Sequence, residues 1–148
     1  MIDDVYQFTP GSLMALRTCH PDIVRTIMRV QSYQLLEFQI VHGFINESTQ
    51  KELFRNSESY ADGVNSKEPY NYKPSRGIKI KVFTDGKECS KIELISFLGG
   101  LILSTSKALK ISGLIDHEIK WLNYRCMIQG KLKNQLNYGN EEFFVQLV

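Results

Sequence analysis

Two lysines stand at alternate positions of an otherwise apolar segment near the middle of the chain. In the stretch 70–85, YNYKPSRGIKIKVFTD, Lys79 and Lys81 follow Tyr72 and Arg76. Ammonium, guanidinium and aromatic groups on one surface can bind a carboxylate or a phosphate. Lys79, Lys81, Tyr72 and Arg76 are therefore the candidate ligand-binding residues, although a solvated strand face is the commoner explanation of such a basic run.

The histidines are the next residues that could do chemistry. They are His20, His42 and His117. His117 stands between Asp116 and Glu118, but successive residues of a strand point to opposite faces, so His117 cannot share a face with both carboxylates. We expect this triplet to lie in a turn. We also expect ordinary structural roles for all three histidines, rather than a new site shared with Asp116, Glu118 or Glu141.

The composition is that of an ordinary globular protein. The chain has 148 residues, of which 43% are hydrophobic and 23% are charged, so we expect one domain over residues 1–148. The net charge of +2 is small, and no nucleic-acid partner is expected. The three cysteines are an odd number without CxxC spacing, which argues against a disulfide framework and a structural zinc site.

The ends and apolar stretches predict where the protein stays. The beginning, MIDDVYQFTPGS, is acidic and lacks the charged start and apolar run of a secretory signal. The most apolar stretch, 92–103, is interrupted by Glu93 and Ser96 and is shorter than the ~20 residues of a membrane span. We expect no membrane span, and a location in the cytoplasm of a host cell or in a particle assembled there.

Local signals predict the helices that would position these side chains. Thr9-Pro10 and His20-Pro21 are typical helix starts, and Asn46 is a typical N-cap for a third helix over 46–56 with Leu53 and Phe54 facing inward. The longest helix is predicted over 90–110 and stopped by Gly113. Its Gly99-Gly100 pair predicts close packing against the sheet.

Alternating hydrophobicity predicts the strands. Segments 36–41 and 78–83 alternate with period two, Asp85-Gly86 is a strong turn signal, and 115–124 and 143–148 are further strand candidates. The intervening segment 57–75 is rich in Ser, Asn, Gly, Pro and Tyr. Structureless loops of that length are usually functional or disordered.

In this order, the chain resembles a family of zinc peptidases. The segment FTPGSLMALRTCHPDIVRTIMRV resembles the motif F-S-x-x-S-L-x-x-L-x-x-V-H-P-D-L-V, and LEFQIVHGFINESTQKEL resembles F-x-V-x-E-G-x-R-T-x-x-x-Q-x-x-L. Asp85-Gly86-Lys87 and Ile119-Lys120-Trp121 resemble the motifs D-G-K and I-R-W-G-G-D-W. These motifs are those of the zinc D-alanyl-D-alanine carboxypeptidase and L-alanyl-D-glutamate endopeptidase family, which includes many phage endolysins.

The resemblance implies a fold. It predicts an α+β domain in which a small antiparallel sheet packs against helices, of the D-Ala-D-Ala carboxypeptidase-like or hedgehog-like type. The resemblance also implies that the family's zinc motif, S-x-H-x-x-G-x-A-x-D, falls on the segment around Gly77. That alignment places Pro74 at the zinc-binding histidine and Lys81 at the zinc-binding aspartate. Neither side chain can bind zinc, because proline has no donor atom and an ammonium has no lone pair.

The family's other active-site motifs are also replaced here by residues that cannot serve the same roles. The family's C-terminal D-x-x-H-F supplies the general base and the third zinc ligand, and here Asn140 and Phe143 take those places. The family's substrate-binding arginine falls on Ile45. A zinc hydrolase needs three protein ligands and a general base. We therefore expect a pseudoenzyme without metal or cofactor.

Two functions fit this expectation. The first is a structural or docking component of a larger assembly of protein subunits, and the resemblance suggests a phage virion protein of the tail or baseplate. The former cleft, with Lys79, Lys81, Tyr72 and Phe143, would then be filled or would serve for docking. The alternative is a non-hydrolytic binder of peptidoglycan stem peptides or another anionic ligand, whose carboxylates would meet the lysines.

Overall fold

An antiparallel sheet and four α-helices make up the described part of the chain, which is residues 5–117, 119–123 and 143–147 of a computed structural model. The helices are α1 (Pro10–Arg17), α2 (Pro21–Ser32), α3 (Glu47–Arg55) and α4 (Ile92–Ile111). The strands are β1 (Glu37–His42), β2 (Gly77–Thr84), β3 (Lys87–Cys89), β4 (Ile119–Asn123) and β5 (Phe143–Leu147). The predicted combination of helices with a small antiparallel sheet is confirmed.

Strand β2 is the centre of the sheet. The strand order is β1-β2-β5-β4, and β3 returns from the Asp85-Gly86 turn to pair with the end of β2. Both turn residues have positive φ, 51° and 75°, which suits the tight hairpin that the sequence predicted. Ile78, Ile80 and Val82 are buried, while Lys79 and Lys81 are partly exposed, so the predicted alternation is also confirmed.

Side chains cap the first three helices where the sequence predicts it. The hydroxyl of Thr9 accepts a hydrogen bond from the backbone N–H of Ser12 at 3.1 Å. The Nδ1 atom of His20 accepts one from the N–H of Asp22 at 3.1 Å, and the Asn46 side chain accepts one from the N–H of Thr49 at 2.8 Å. These bonds satisfy donors that the first helical turn leaves open.

The buried face of α3 differs from the prediction. Phe54 is 48% exposed and Leu53 is only partly buried, whereas the side chain of Gln50 is buried. The Gln50 amide donates to the carbonyl of Ala61 at 2.8 Å and accepts from the side-chain amide of Asn71 at 3.1 Å. A polar side chain takes the buried position because it satisfies the groups of the loop that folds over it.

The long segment 57–75 is a folded loop held by its own polar groups. Besides the bonds to Gln50, the Asp62 carboxylate accepts hydrogen bonds from the backbone N–H groups of Ser66, Val64 and Asn65. These bonds lower the pKa of Asp62 to about 2. A 3-10 turn at Pro69–Asn71 follows and leads back into β2.

Helix α4 lies across the core. Its buried apolar residues include Ile95, Leu98, Ile102 and Leu109. By length and composition alone α4 is apolar enough to cross a membrane, with a mean hydropathy of 1.4. The prediction of no membrane span concerned the apolar stretch 92–103, whereas the whole helix, Ile92–Ile111, has 20 residues. The same helix contributes one face to the core, however, as the central helix of a globular domain does.

Candidate functional site

A cationic pocket of about 480 Å³ lies beside the end of α1. Its lining residues are Arg17, Thr18, Phe44, Lys73 and Pro74. The ammonium group of Lys73 lies 6.0 Å from the centre of the Phe44 ring. Two cations beside an aromatic ring form a site whose charge suits a carboxylate or a phosphate.

The segment that carries Lys73 and Pro74 is fixed by the buried residue Ser75. The backbone N–H of Ser75 donates to the carbonyl of Thr18 at 2.8 Å, and the Ser75 carbonyl accepts from the N–H of His20 at 2.9 Å. The Ser75 hydroxyl donates to the carbonyl of Gly77 at 2.6 Å. These bonds tie the segment before β2 to the junction of α1 and α2, so Pro74 holds a defined place in the pocket wall.

The predicted ligand-binding residues fall into two pairs. The Arg76 guanidinium lies 4.1 Å from the centre of the Tyr72 ring, and the Lys67 ammonium lies 5.4 Å from it. This cation–π arrangement brings Tyr72 and Arg76 together. Neither Tyr72 nor Arg76 lines the pocket. The pocket could not be predicted from a local pattern, because Arg17 and Phe44 come from segments distant from Lys73.

The two lysines of β2 make contacts along the sheet. The ammonium of Lys81 forms an ion pair with the carboxylate of Glu88 on β3, with 3.0 Å between the charged atoms. Lys79 pairs in the backbone register with His42 on β1 and with Phe144 on β5. Burial lowers the pKa of His42 to about 4, and the charge of Lys79 acts in the same direction. The strand face around Lys79 and Lys81 is therefore cationic beside a neutral imidazole.

The positions that the family resemblance assigns to zinc are occupied as follows. Pro74 lines the pocket and Lys81 is paired with Glu88. Asn140 lies outside the described residues, and the backbone of Phe143 pairs with Ile80 of β2. Ile45, at the position of the family's arginine, is buried and donates its backbone N–H to the carbonyl of Tyr70 at 2.8 Å. Pro74 and Lys81 offer no lone pair to a metal ion.

A different cluster brings two histidines and a carboxylate together. Within the described ranges, His20, Asp22 and His117 are the one group whose possible metal-binding atoms all lie within 4.8 Å of one another. His117 lies in the connection between α4 and β4, as predicted, and its ring is hydrogen-bonded to Asp22, while Glu118 lies outside the described residues. No local sequence pattern indicates this cluster, because 95 residues separate His117 from Asp22.

Asp22 is the centre of that cluster. Its Oδ2 atom accepts hydrogen bonds from the backbone N–H of Asp116 at 3.1 Å, the backbone N–H of His117 at 2.9 Å, and the His117 ring at 2.8 Å. Burial acts to raise the pKa of Asp22, but the hydrogen bonds to His117 and Asp116 outweigh it and lower the pKa below its ordinary value. Asp22 is thus an ionised carboxylate that holds the segment after α4.

The described cysteines form no disulfide. Cys19 and Cys89 are free thiols, and Cys126 lies outside the described residues. Burial raises the pKa of Cys19 to about 12, so its thiol is a poor nucleophile.

The sheet and its flanking helices have a peptidase-like fold. A solved structure with a similar fold is that of the L-Ala D-Glu endopeptidase ChiX of Serratia marcescens, with a TM-score of 0.63 and 19% sequence identity. The similarity covers 98% of this chain and 92% of that chain. No family model and no curated protein matches the sequence. At this identity the likeness establishes the fold alone, and activity has to be argued from the residues.

Proposed function

We propose that the protein is a non-catalytic member of the peptidase fold that serves as a structural or docking component of a larger assembly. In this proposal the fold is of the D-Ala-D-Ala carboxypeptidase-like, or hedgehog-like, type. The assembly is a phage virion, in its tail or baseplate, because the resembling family is common in phages. The partners are other protein subunits.

The observation that carries the proposal is the ion pair of Lys81 with Glu88. The position that would supply an aspartate ligand instead carries an ammonium group, held 3.0 Å from a carboxylate of the neighbouring strand. A divalent cation placed there would be repelled by Lys81 and would have to compete with it for Glu88. Pro74, the aligned partner of Lys81 in the zinc motif, has no side-chain donor.

The C-terminal segment supports the same proposal. The sequence contains no histidine after His117, so that segment cannot supply the histidine ligand of the family. A zinc peptidase keeps three protein ligands and an open position for water. Losing two aligned ligands on one segment and the histidine on another leaves the aligned cleft without a metal ion to polarise an attacking water.

Exposed apolar side chains support a role in assembly. On α4, Phe97 is 46% exposed, Leu103 is 40% exposed and Ile111 is 79% exposed. Large exposed apolar groups favour contacts between proteins when they lie near one another. Helix α4 thus offers three exposed apolar side chains to a neighbouring subunit.

Two measurements test this proposal. The first is hydrolysis of peptidoglycan stem peptides by the purified protein in the presence of excess Zn²⁺. We expect no cleavage, and turnover that disappears with a chelator would refute the non-catalytic part. The second is mass spectrometry of purified, cross-linked virions of the phage that encodes the chain. We expect cross-links between this protein and tail or baseplate subunits, and absence from the particle would refute the assembly part.

The cationic pocket favours a second candidate, a non-hydrolytic binder of peptidoglycan stem peptides or another anionic ligand. Arg17 and Lys73 would meet ligand carboxylates while Phe44 packs against the peptide. We expect Arg17→Glu and Lys73→Glu to abolish peptide-induced NMR shifts, and Lys107→Glu, an exposed charge reversal on α4, to preserve them. No shift in the unchanged protein at millimolar peptide would refute this candidate.

A further inference from the structure

We infer that His20, Asp22 and His117 form a site for a divalent transition-metal ion such as Zn²⁺. The site is separate from the positions aligned with the peptidase motif, so it does not depend on the function proposed above. Its residues come from the start of α2 and from the segment after α4.

The distances around Asp22 suit a shared ion. The Oδ2 atom of Asp22 lies 2.8 Å from the Nδ1 atom of His117 and 3.9 Å from the Nδ1 atom of His20. In a tetrahedral zinc site, metal bonds of about 2.0–2.1 Å place neighbouring ligand atoms about 3.4 Å apart. The two observed distances lie on either side of that value, and the possible ligand atoms of all three residues lie within 4.8 Å of one another.

Each ring has an Nδ1 atom beside Asp22. The Nδ1 atom of His20 accepts the backbone N–H of Asp22, so an ion bound to Nδ1 would replace this hydrogen bond. The Nδ1 atom of His117 is hydrogen-bonded to Asp22, and the tautomer that carries its proton on Nε2 has a lone pair on Nδ1 for an ion. The metal bond then replaces the hydrogen bond between the ring and the carboxylate.

The surroundings of Asp22 also suit a metal ligand. The Asp22 side chain is 8% exposed and is oriented by backbone N–H groups of Asp116 and His117, which would act as outer-shell donors. The side chains of His20 and His117 are 27% and 46% exposed, so an ion can reach the cluster from solvent.

The ligand set indicates the kind of ion. Two imidazoles and one carboxylate favour zinc, cobalt or nickel over magnesium and calcium, which prefer oxygen ligands. Three protein ligands leave a fourth position for water. A bound ion would join the start of α2 to a segment 95 residues later in the chain, and would stabilise the folded state.

The first test uses the unchanged full-length protein after removal of metals with a chelator. Zn²⁺ is titrated while the histidine ring signals are followed by NMR. We expect one ion per chain, with the signals of His20 and His117 shifting and those of His42 unchanged. Saturating Zn²⁺ that leaves the His20 and His117 signals in place would overturn the inference.

The second test uses variants whose folding is verified by circular dichroism. His117→Gln keeps an amide that can donate to Asp22 but lacks the imidazole, and His20→Asn keeps a helix-capping acceptor. We expect each to weaken Zn²⁺ affinity by on the order of tenfold or more, as loss of one ligand should. Glu52→Gln, on the exposed side of α3, and Cys89→Ser are the controls and should bind as the parent does. Equal affinity in all four variants would place the ion elsewhere and overturn the inference.

Discussion

The glycine pair in α4 offers a test of the packing between this helix and the sheet. A Cβ atom built on Gly99 would lie 2.5 Å, 2.7 Å and 2.8 Å from three ring atoms of Trp121 on β4. A Cβ atom on Gly100 would meet nothing within 4 Å. The two glycines are neighbours in one helix, so Gly99→Ala and Gly100→Ala differ in the contact with Trp121 and in little else.

The expected magnitudes follow from two opposing effects. Alanine is favoured over glycine in a helix interior by about 1 kcal/mol, and both variants gain this. At position 99 the new methyl group would stand about 1 Å closer to the indole than the ~3.5 Å of ordinary carbon contacts. Overpacking of this kind costs about 1–3 kcal/mol. We expect Gly100→Ala to be about 1 kcal/mol more stable than the parent, and Gly99→Ala to be less stable than Gly100→Ala by about 1–3 kcal/mol.

The assay is urea unfolding followed by circular dichroism and by the fluorescence of Trp121, the single tryptophan of the chain. Adding Trp121→Leu to each variant completes a double-mutant cycle, and we expect the Gly99→Ala penalty to shrink when the indole is absent. Equal stabilisation by Gly99→Ala and Gly100→Ala would refute the proposed contact between α4 and Trp121.

Three further predictions test the burial of particular polar groups. Because the folded state holds the pKa of His42 at about 4 against an ordinary value of 6.5, its contribution to stability is complete above pH 6.5 and is lost as the pH falls towards 4. Full protonation of His42 should lower the free energy of unfolding by about 3 kcal/mol. Urea unfolding at pH 7 and pH 4.5 should therefore show a smaller loss of stability on acidification in His42→Gln than in the parent protein, and an equal loss in both would contradict this. Gln50→Leu should lower the free energy of unfolding by about 2–3 kcal/mol by leaving loop groups unpaired, and should speed proteolysis within 57–68, whereas Ser48→Ala on the exposed side of α3 should not. Iodoacetamide should modify Cys89 in the folded protein before Cys19, whose pKa is raised to about 12 by burial, and peptide mapping would reveal the opposite order.

Sequence reasoning predicted the features that depend on short-range interactions. The capping groups of Thr9, His20 and Asn46 act within two or three residues, so residue type and spacing are enough to place the first three helices. The alternation in β2 and the Asp85-Gly86 turn are equally local. The predicted use of the glycine pair for close packing is confirmed at Gly99 and not at Gly100, because helix rotation brings only one of them to the sheet.

Features that depend on distant segments were not predictable in this way. Phe54 was expected to face inward because it is apolar, yet Gln50 is the buried residue of α3, since the loop 57–75 needs its amide. No local pattern near His117 points to Asp22, whose hydrogen-bond partners lie in the segment that follows α4. The signal available in the sequence was the Asp in the first turn of α2, and that position also suits a purely helical role.

Strand β2 carries core residues and partly exposed residues at alternate positions. Its place in the core depends on Ile78, Ile80 and Val82, which are buried in the same core cluster as residues of α2 and α4. Lys79 and Lys81 occupy the other face, so a substitution there removes no core contact. Lys81 has its charged partner, Glu88, on β3. Alternate residues of the same strand thus contribute to the core and to the face that carries Lys79 and Lys81. The fold can be conserved in a similar structure while the chemistry is decided by the intervening positions, where this chain has cations.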